Sequence, residues 1–166
     1  MKVIEFFASD NKDHWLEEIK KSDWGAGQYL YELLRKGELK QLCGGSTKVL
    51  LLAQGDELIS FCTYAEQDDV REPDLTPWVG FVYTFPEHRG NRYIGKLLEY
   101  AYEQAKMEGC QHIYISTGET GLYEKYGYIF WKTMKEINGE DSRVYRNDIT
   151  QMSYNLEMRM EGCDYR

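Results

Sequence analysis

The sequence of 166 residues lacks any long apolar run. No stretch approaches the ~20 apolar residues that a helix needs to cross a bilayer, so a membrane-spanning protein is not expected. The first residues, MKVIEFFASDNKDH, reach charged positions too early for a secretory signal. We therefore expect a cytoplasmic protein with no membrane partner.

Cysteine is scarce and scattered. The four cysteines, Cys43, Cys62, Cys110 and Cys163, lie far apart, with no C-x-x-C motif and no histidine cluster beside them. The spacings typical of zinc ligands or of a small disulfide-rich domain are therefore missing. The sequence predicts free thiols in a reducing compartment and no metal site.

Positive charge is in deficit, with 20 Lys and Arg against 28 Asp and Glu and a formal net charge of −8. This balance argues against nucleic acid as the main partner and favours a cationic small molecule. A hydrophobic content of 42% with 14% aromatic residues indicates a globular chain. The sequence contains no repeat and no linker-like segment, so we expect a single domain over residues 1–166.

The most informative segment reads WVGFVYTFPEHRGNRYIGKLL, from Trp78 to Leu98. Its first half is β-prone and almost uninterruptedly apolar, which predicts a strand covered on both faces that ends before Pro86. From Ile94 the apolar residues recur at i, i+3, i+4, i+7 and i+11, which predicts an amphipathic helix to about Gly109.

The turn between this strand and this helix is suited to an anion. The first amides of a helix have no partner within the helix, and its dipole places partial positive charge there. A phosphate is the usual ligand of such a site. Arg89 and Arg92 would add charge-assisted contacts.

The remaining elements follow from hydrophobic periodicity and turn residues. Gly25 and Gly27 are expected to separate two helices, and 152–158 is a candidate for an additional strand near a loose C-terminal tail. The predicted strands are 3–8, 48–53, 58–66, 78–85, 111–116, 128–137 and 143–148, and the predicted helices are 12–21, 29–36, 94–109 and 122–126. This order favours an α/β (α+β) fold.

Two motifs carry a family resemblance. V-x-T-F-P-E-H-R-G-N-R-Y-I-G-K-L-L, with G-L-Y-E-K-Y-G-Y downstream, resembles the GCN5-related N-acetyltransferases (GNAT), in which a P-x-x-R-G-x-G-x-G/A-x-x-L-L loop holds the coenzyme A pyrophosphate. Aligned without gaps from Pro86, Arg92 and Ile94 occupy positions where the family usually has small residues. An insertion would instead bring Gly95 onto the pattern, and a position that needs positive φ would be unfavourable for Ile94.

The resemblance implies a mixed, mostly antiparallel sheet with helices on both faces, and acetyl-CoA as cosubstrate without a metal. The end of the strand would pair its backbone with the pantetheine arm, and one of its amides would point at the thioester oxygen. The implied cofactor-binding residues are Val82, Tyr83, Thr84, Arg89, Gly90, Asn91, Arg92, Tyr93, Ile94 and Gly95.

Tyr123 matches the tyrosine of the family's L-Y-x-x-x-G-F/Y motif, which implies the catalytic acid. A phenol with a pKa of ~10 stays protonated at neutral pH and can donate to a departing thiolate whose acid has a pKa of ~8.5. The alternative is that Tyr123 is one of 14 tyrosines and serves only as a core residue. Seven residues upstream, Ser116 replaces an asparagine that is common in the family.

No residue is assigned as general base from the sequence, and a chain of water molecules would serve as well. The acidic run 66–74 is either a solvated loop or a negatively charged rim that attracts an amine. The carboxylates near the expected cleft in chain order are Glu66, Asp68, Asp69, Glu87 and Glu119.

The leading hypothesis is a cytoplasmic N-acetyltransferase that moves an acetyl group from acetyl-CoA to a primary amine, by direct attack in a ternary complex. The acceptor would be a small, cationic molecule or a protein amino group. A non-catalytic acyl-CoA-binding module with the same fold is the alternative. A nucleotide-binding protein is disfavoured because the G-x-x-x-x-G-K-[ST] motif is missing. The acceptor, the acyl chain and the oligomeric state, including a homodimer, stay open.

Overall fold

A computed structural model describes residues 1–149 and shows a mixed α/β fold around one sheet. Within those residues the sheet has seven strands in the order β1-β2-β3-β4-β5-β7-β6, and only the β4–β5 pair is parallel. The strands are β1 (Lys2–Glu5), β2 (Lys48–Gln54), β3 (Glu57–Ala65), β4 (Trp78–Thr84), β5 (His112–Thr117), β6 (Ile129–Lys135) and β7 (Asp141–Asp148). The helices are α1 (Lys12–Lys20), α2 (Gly25–Lys36), α3 (Leu39–Cys43) and α4 (Ile94–Met107), with 3₁₀ helices at Phe6–Ala8, Pro86–His88 and Tyr123–Tyr126.

Helices cover both faces of the sheet, as predicted. On one face α1, α2 and α3 pack against alternate residues of β2 and β3, including Val49, Leu51 and Phe61. On the other face α4 packs against the intervening residues, such as Leu50 and Leu52. Strand β2 is therefore buried on both sides, which explains its unbroken apolar sequence. Within residues 1–149, no helix combines the length and the apolar character that a membrane span requires.

The second helix begins earlier than predicted, at Gly25 instead of residue 29. Gly27 is buried, and a Cβ at this position would overlap the Ser22 hydroxyl, so close packing overrides the weak helix propensity of glycine. The sequence also did not predict α3, a five-residue helix with buried Leu39 and Cys43. The first strand ends at Glu5 and continues as a 3₁₀ helix. The strand predicted at 152–158 and the predicted loose tail lie outside the described residues.

Strands β4 and β5 are paired only where β4 begins. The parallel register joins Trp78 to Tyr114 and Val79 to Ile115, and from there each strand continues with its other neighbour. A bulge adds to this separation, because the β3 register leaves out Phe81 and Val82, and Phe81 has a φ of +50°. The two strands thereby part in the middle of the sheet.

Candidate active site

A cavity of about 1120 Å³ occupies the place where β4 and β5 part. One part of its wall, termed the loop end, consists of Arg89, Gly90, Arg92, Tyr93 and Ile94. Another part, termed the acidic end, consists of Cys43, Asp68, Asp69, Arg71, Glu136 and Ile137. Gly80, which contacts the acidic end, and Thr84, which leads to the loop end, are four residues apart on β4, or about 13 Å in an extended strand.

The loop end presents a series of free backbone amides. The amide of Arg89 donates to the carbonyl of Pro86, and that of Gly95 donates to the carbonyl of Arg92. The amides between them, from Gly90 to Ile94, have no acceptor within residues 1–149. These amides lead into the first residue of the 14-residue helix α4, so they lie near the positive end of its dipole.

Two residues of this turn have left-handed backbones, Gly90 with a φ of +87° and Arg92 with a φ of +58°. Arg92 is therefore at a position that glycine would occupy without strain, and the arginine costs about 1 kcal/mol there. Ile94 is the first residue of α4 and does not have a positive φ. Both observations favour the ungapped alignment, in which Arg92 stands at a family glycine position.

Eight of the ten predicted cofactor-binding residues line the cavity, and Asn91 and Gly95 do not. The side-chain amide nitrogen of Asn91, Nδ2, donates to the carbonyl of His88 at 3.1 Å, which stabilises the turn. Gly95 faces Tyr126, and a Cβ on Gly95 would lie 2.8 Å from the Tyr126 ring. Gly95 thus allows the 3₁₀ helix that carries Tyr123 to pack against α4.

The Arg89 side chain is engaged with neighbouring residues. Its Nε donates to the carbonyl of Thr84 at 2.9 Å, and Nη2 lies 3.9 Å from Asp23 Oδ1. Its guanidinium lies 5.4 Å from the ring centroid of Tyr83. These contacts join the end of β4 to the segment between α1 and α2.

The Tyr83 side chain points to the α1–α2 side of the sheet. Its hydroxyl donates to Asp23 Oδ1 at 2.5 Å, and the Trp24 ring stacks on it with a centroid separation of 5.7 Å and an interplanar angle of 6°. Burial and then the Asp23 hydrogen bond raise the pKa of Tyr83. Its neighbours Val82 and Thr84 are half-buried at the cavity wall.

Tyr123 lies in both the core and the cavity wall. Its side chain is buried among core residues and meets Tyr128 edge to face, with centroids 6.3 Å apart. Burial, followed by the nearby Cys62, Glu119 and Asp68, raises the pKa of Tyr123 far above its ordinary value. The phenol is therefore protonated at neutral pH and available as a donor.

The acidic run 66–74 is not uniformly solvated. Asp68 is only 7% exposed and Val70 is 1% exposed, whereas Asp69 lies at the surface. Burial first, and then the neighbouring Asp69 carboxylate, raise the pKa of Asp68 to about 7. Glu66 instead accepts hydrogen bonds from the amide and hydroxyl of Ser46, at 2.9 and 2.6 Å. The interpretation of the whole run as a solvated loop is therefore wrong for Asp68.

The candidate carboxylates separate by position. Asp68, Asp69 and Glu119 line the cavity, whereas Glu66 and Glu87 do not. Glu87 instead lies near Glu57 and His88, and the potential ligand atoms of these three residues lie within 4.8 Å of one another. His88 Nε2 is 2.6 Å from Glu57 Oε1 in this group, and the absence of a metal stays a prediction.

The family resemblance also implies that the α1–α2 stretch lines the acceptor pocket, and Asp23, Trp24 and Tyr29 of this stretch do line the cavity. Sequence reasoning missed another part of the wall, the segment after β6, which contributes Glu136 and Ile137. No local motif marks these two residues in the sequence. Long-range contacts position them, for example the hydrogen bond of 2.8 Å from the Ile137 amide to the carbonyl of Asp69.

Comparison with known families decides the class of this site. The model of the acetyltransferase (GNAT) family matches residues 12–128. The chain belongs to this family. The expectation of an acetyl-CoA-dependent N-acetyltransferase is thereby confirmed at the level of the family. A comparison with curated proteins found no match.

Solved GNAT structures share the fold over nearly the whole chain. An aminoglycoside 6'-N-acetyltransferase from Enterococcus faecium superposes with a TM-score of 0.64 at 14% identity, over 90% of this chain and 97% of that one. A Salmonella typhimurium acetyltransferase that modifies the N-terminal serine of a ribosomal protein gives a TM-score of 0.62 at 11% identity, over 89% and 94%. A GNAT acetyltransferase from Elizabethkingia anophelis with acetyl-CoA bound gives 0.57 at 16% identity, over 89% and 97%. At these identities the likeness establishes the fold.

Proposed function

We propose that this GNAT member is a cytoplasmic enzyme that transfers the acetyl group of acetyl-CoA to a primary amine of a small, cationic molecule. The observation that carries the proposal is the cavity between β4 and β5, because it combines the free amides of the loop end with the buried, protonated Tyr123. The groups that would bind the cofactor and the residue that would donate a proton to the leaving sulfur therefore line the same cavity.

The loop end would hold the pyrophosphate of acetyl-CoA. The free amides of Gly90 to Ile94 and the dipole of α4 supply fixed positive charge, and the exposed Arg92 supplies a mobile cation. Arg89 contributes by holding the end of β4 through Thr84. Asn91 and Gly95 act through the conformation of the turn and the packing of α4.

The pantetheine arm would lie along β4. Within residues 1–149, the edge of β4 that faces β5 has no ladder partner beyond Val79, so its backbone groups would be free to pair with the two amides of pantetheine. One of the amides of 82–84 would then donate to the thioester oxygen. A donor placed where negative charge develops stabilises the tetrahedral intermediate.

Tyr123 would donate to the departing sulfur. The amine attacks the thioester carbon, a C–N bond forms, and the intermediate collapses with cleavage of the C–S bond. Because its pKa is raised, the Tyr123 phenol is protonated when acetyl-CoA binds, and it would donate this proton to the sulfur as the C–S bond breaks. A direct transfer of this kind requires acetyl-CoA and the amine to be bound together.

The acidic end would receive the amine. Asp68, Asp69 and Glu136 are carboxylates of this wall, and Trp24, Tyr29 and Phe81 add aromatic surface nearby. Carboxylates and aromatic faces both favour an ammonium group. Similarity to an aminoglycoside 6'-N-acetyltransferase supports a polycationic small molecule as acceptor.

A turnover screen tests the proposal. Purified protein is given acetyl-CoA with polyamines, aminoglycosides, amino acids or peptides with free N-termini, and release of the coenzyme A thiol is followed, with acceptor-free reactions as control. We expect acceptor-dependent release and a product heavier by one acetyl group. Calorimetric binding of acetyl-CoA without turnover of any amine would favour the acyl-CoA-binding module instead.

A further inference from the structure

We propose that Asp68 is the catalytic base of this enzyme: its carboxylate binds the incoming ammonium group and takes its proton. The inference rests on the proposed function. It assigns a role that the sequence leaves open among five carboxylates.

The position of Asp68 is set by a glycine of β4. A Cβ at Gly80 would overlap Asp68 Oδ1, so the carboxylate lies directly on the strand. Gly80 immediately precedes the bulge at Phe81 and is two residues before Val82, where the proposed pantetheine contacts begin. Asp68 therefore lies beside the strand that would hold the thioester.

Two backbone hydrogen bonds on either side of Asp68 hold it in place. The Gln67 amide donates to the carbonyl of Cys43 at 3.0 Å, which connects the loop to α3. The Ile137 amide donates to the carbonyl of Asp69 at 2.8 Å, which connects the loop to the segment after β6. Because two distant segments fix the backbone here, the carboxylate is preorganised within the cavity wall.

Asp68 has no cationic partner at ion-pair distance within residues 1–149. Arg71, the cation of its own loop, donates instead to the carbonyl of Leu42 at 2.6 Å. The other titratable groups around it are Cys43 of α3, Asp69 of its own loop, Glu136 after β6, and Tyr123 across the cavity. A carboxylate buried without a counter-ion is costly, and a ligand ammonium would remove that cost.

The protonation behaviour of Asp68 suits a base at neutral pH. Its pKa is about 7 because burial and the Asp69 charge disfavour the ionised form. A base works best when its pKa is near the operating pH, since it is then both ionised in part and a strong proton acceptor. Asp69 and Glu119 have more exposed side chains than Asp68. Burial also raises the pKa of Asp69, against the lowering effect of Arg71, but its carboxylate is not enclosed as that of Asp68 is.

The protons of the reaction balance with two acceptors. The ammonium loses one proton to the Asp68 carboxylate, and the neutral amine attacks the thioester carbon. As the C–S bond breaks, Tyr123 gives its proton to the sulfur, and the nitrogen loses its second proton to the Tyr123 oxygen. The products are the acetamide, the coenzyme A thiol, and one proton that Asp68 releases to solvent.

The test compares wild type, Asp68→Asn and Asp74→Asn with the best amine from the screen. Asp74 is exposed in the same loop and does not line the cavity, so its variant is the matched control. The measurements are kcat/KM for the amine from pH 6 to 10, acetyl-CoA affinity by calorimetry, and folding by circular dichroism. A fluorinated analogue of the amine, with a lower ammonium pKa, serves as a second acceptor.

We expect Asp68→Asn to lower kcat/KM at pH 7 by ~10²–10⁴-fold, with acetyl-CoA affinity unchanged within twofold. The deficit should shrink as the pH approaches the pKa of the amine, and it should be smaller for the fluorinated analogue. A merely structural role would not depend on acceptor acidity. Wild type should show an ascending limb near pH 7 that the Asp68→Asn variant lacks, and Asp74→Asn should match wild type.

A deficit below threefold across the pH range, or one equal for both acceptors, overturns the assignment. If Asp68→Asn does not fold, the pH dependence of kcat/KM for wild type is the test. If it shows no ascending limb near pH 7 with either acceptor, Asp68 is not the base. Wild type that binds acetyl-CoA but acetylates no amine contradicts the proposed function itself. Active wild type without the limb contradicts only the role of Asp68.

Discussion

The two ends of the cavity are built in different ways. The loop end comes from one continuous stretch, 89–94, and offers mainly backbone amides and the dipole of α4. The acidic end combines α3, the β3–β4 loop and the segment after β6, and offers side-chain carboxylates. One end is local and cationic, and the other is assembled from distant segments and is anionic.

This difference corresponds to the two substrates that we propose. A pyrophosphate is a constant part of acetyl-CoA, so a site made of backbone groups can bind it with few constraints on side chains. An amine acceptor is recognised by the placement of particular carboxylates, and a site assembled from three segments can change with any of them.

The largest effect is expected where the two ends meet, at Tyr123. We expect Tyr123→Phe to lower kcat by ~10²–10⁴-fold with little change in acetyl-CoA affinity, because only the donor to the leaving sulfur is lost. Tyr128→Phe is the matched control, since its buried hydroxyl has no hydrogen-bond partner within residues 1–149. Single-turnover kinetics provide the measurement.

Turnover of Tyr123→Phe within about threefold of wild type, with chemistry rate-limiting, would leave Tyr123 as a core residue alone. Equal losses in both tyrosine variants would point to packing instead of proton donation. Either result would show that Tyr123 does not act as the proton donor to the leaving sulfur.

The second effect concerns the stability of the acidic end. Because the pKa of Asp68 is raised from 3.8 to about 7, ionising it opposes folding. Its favourable contribution is complete below pH ~4 and is lost as the pH rises through about 7. At about 1.4 kcal/mol per tenfold change in proton affinity, this amounts to at most about 4 kcal/mol.

Asp68→Asn should therefore gain stability relative to wild type as the pH rises from 4 to 8. Urea unfolding at pH 4, 6 and 8 measures the difference in unfolding free energy, with the exposed Asp74→Asn as control. A difference that stays constant across this range would show that Asp68 is not held in a desolvated environment.

The contrast between the ends also explains what the sequence could predict. The strand that ends before Pro86 and the apolar face of α4, with buried Leu97, Leu98 and Ala101, depend on neighbouring residues, and both were predicted. The anion-binding site was also predictable, because the first amides of a helix that starts after such a turn have no acceptor within the helix. The strand, turn and helix that form the loop end could therefore be predicted from the sequence alone.

The arrangement of the acidic end could not be predicted from the sequence in this way. Burial of Asp68 depends on Gly80, twelve residues later, and on the hydrogen bond between Asp69 and Ile137, which are 68 residues apart. In the sequence, Asp68 is only one acid in an acidic run. The early start of α2 was missed for the same reason, since the packing of Gly27 on Ser22 overrides its local signal.

A third, smaller effect is expected at the loop end, from Arg92. We expect Arg92→Ala to weaken acetyl-CoA binding by roughly 5- to 30-fold, because a charge-assisted contact to the pyrophosphate is lost. Arg92→Gly should show the same loss of affinity but be about 1 kcal/mol more stable than Arg92→Ala, since glycine adopts the φ of +58° without strain.

Lys96→Ala is the matched control for charge, because Lys96 is an exposed cation of the first turn of α4 that does not line the cavity. Calorimetry gives the affinities, and thermal unfolding gives the stabilities. Equal affinity losses in Lys96→Ala and Arg92→Ala would indicate a diffuse field instead of a contact from Arg92.

The smallest effect should be the salt dependence of amine capture. Exposed Asp69 and half-buried Glu136 attract a cation through solvent, and this attraction fades as the Debye length falls from ~10 Å at 0.1 M salt to ~3 Å at 1 M. Buried Asp68 is screened much less, so the KM for the amine should rise only about two- to fivefold. Asp69→Asn should raise this KM at low salt and flatten its salt dependence, whereas the salt dependence in Asp68→Asn should persist. An acceptor that is neutral or anionic, or a KM that is flat in salt for wild type, would show that the exposed carboxylates of the acidic end do not recruit the substrate.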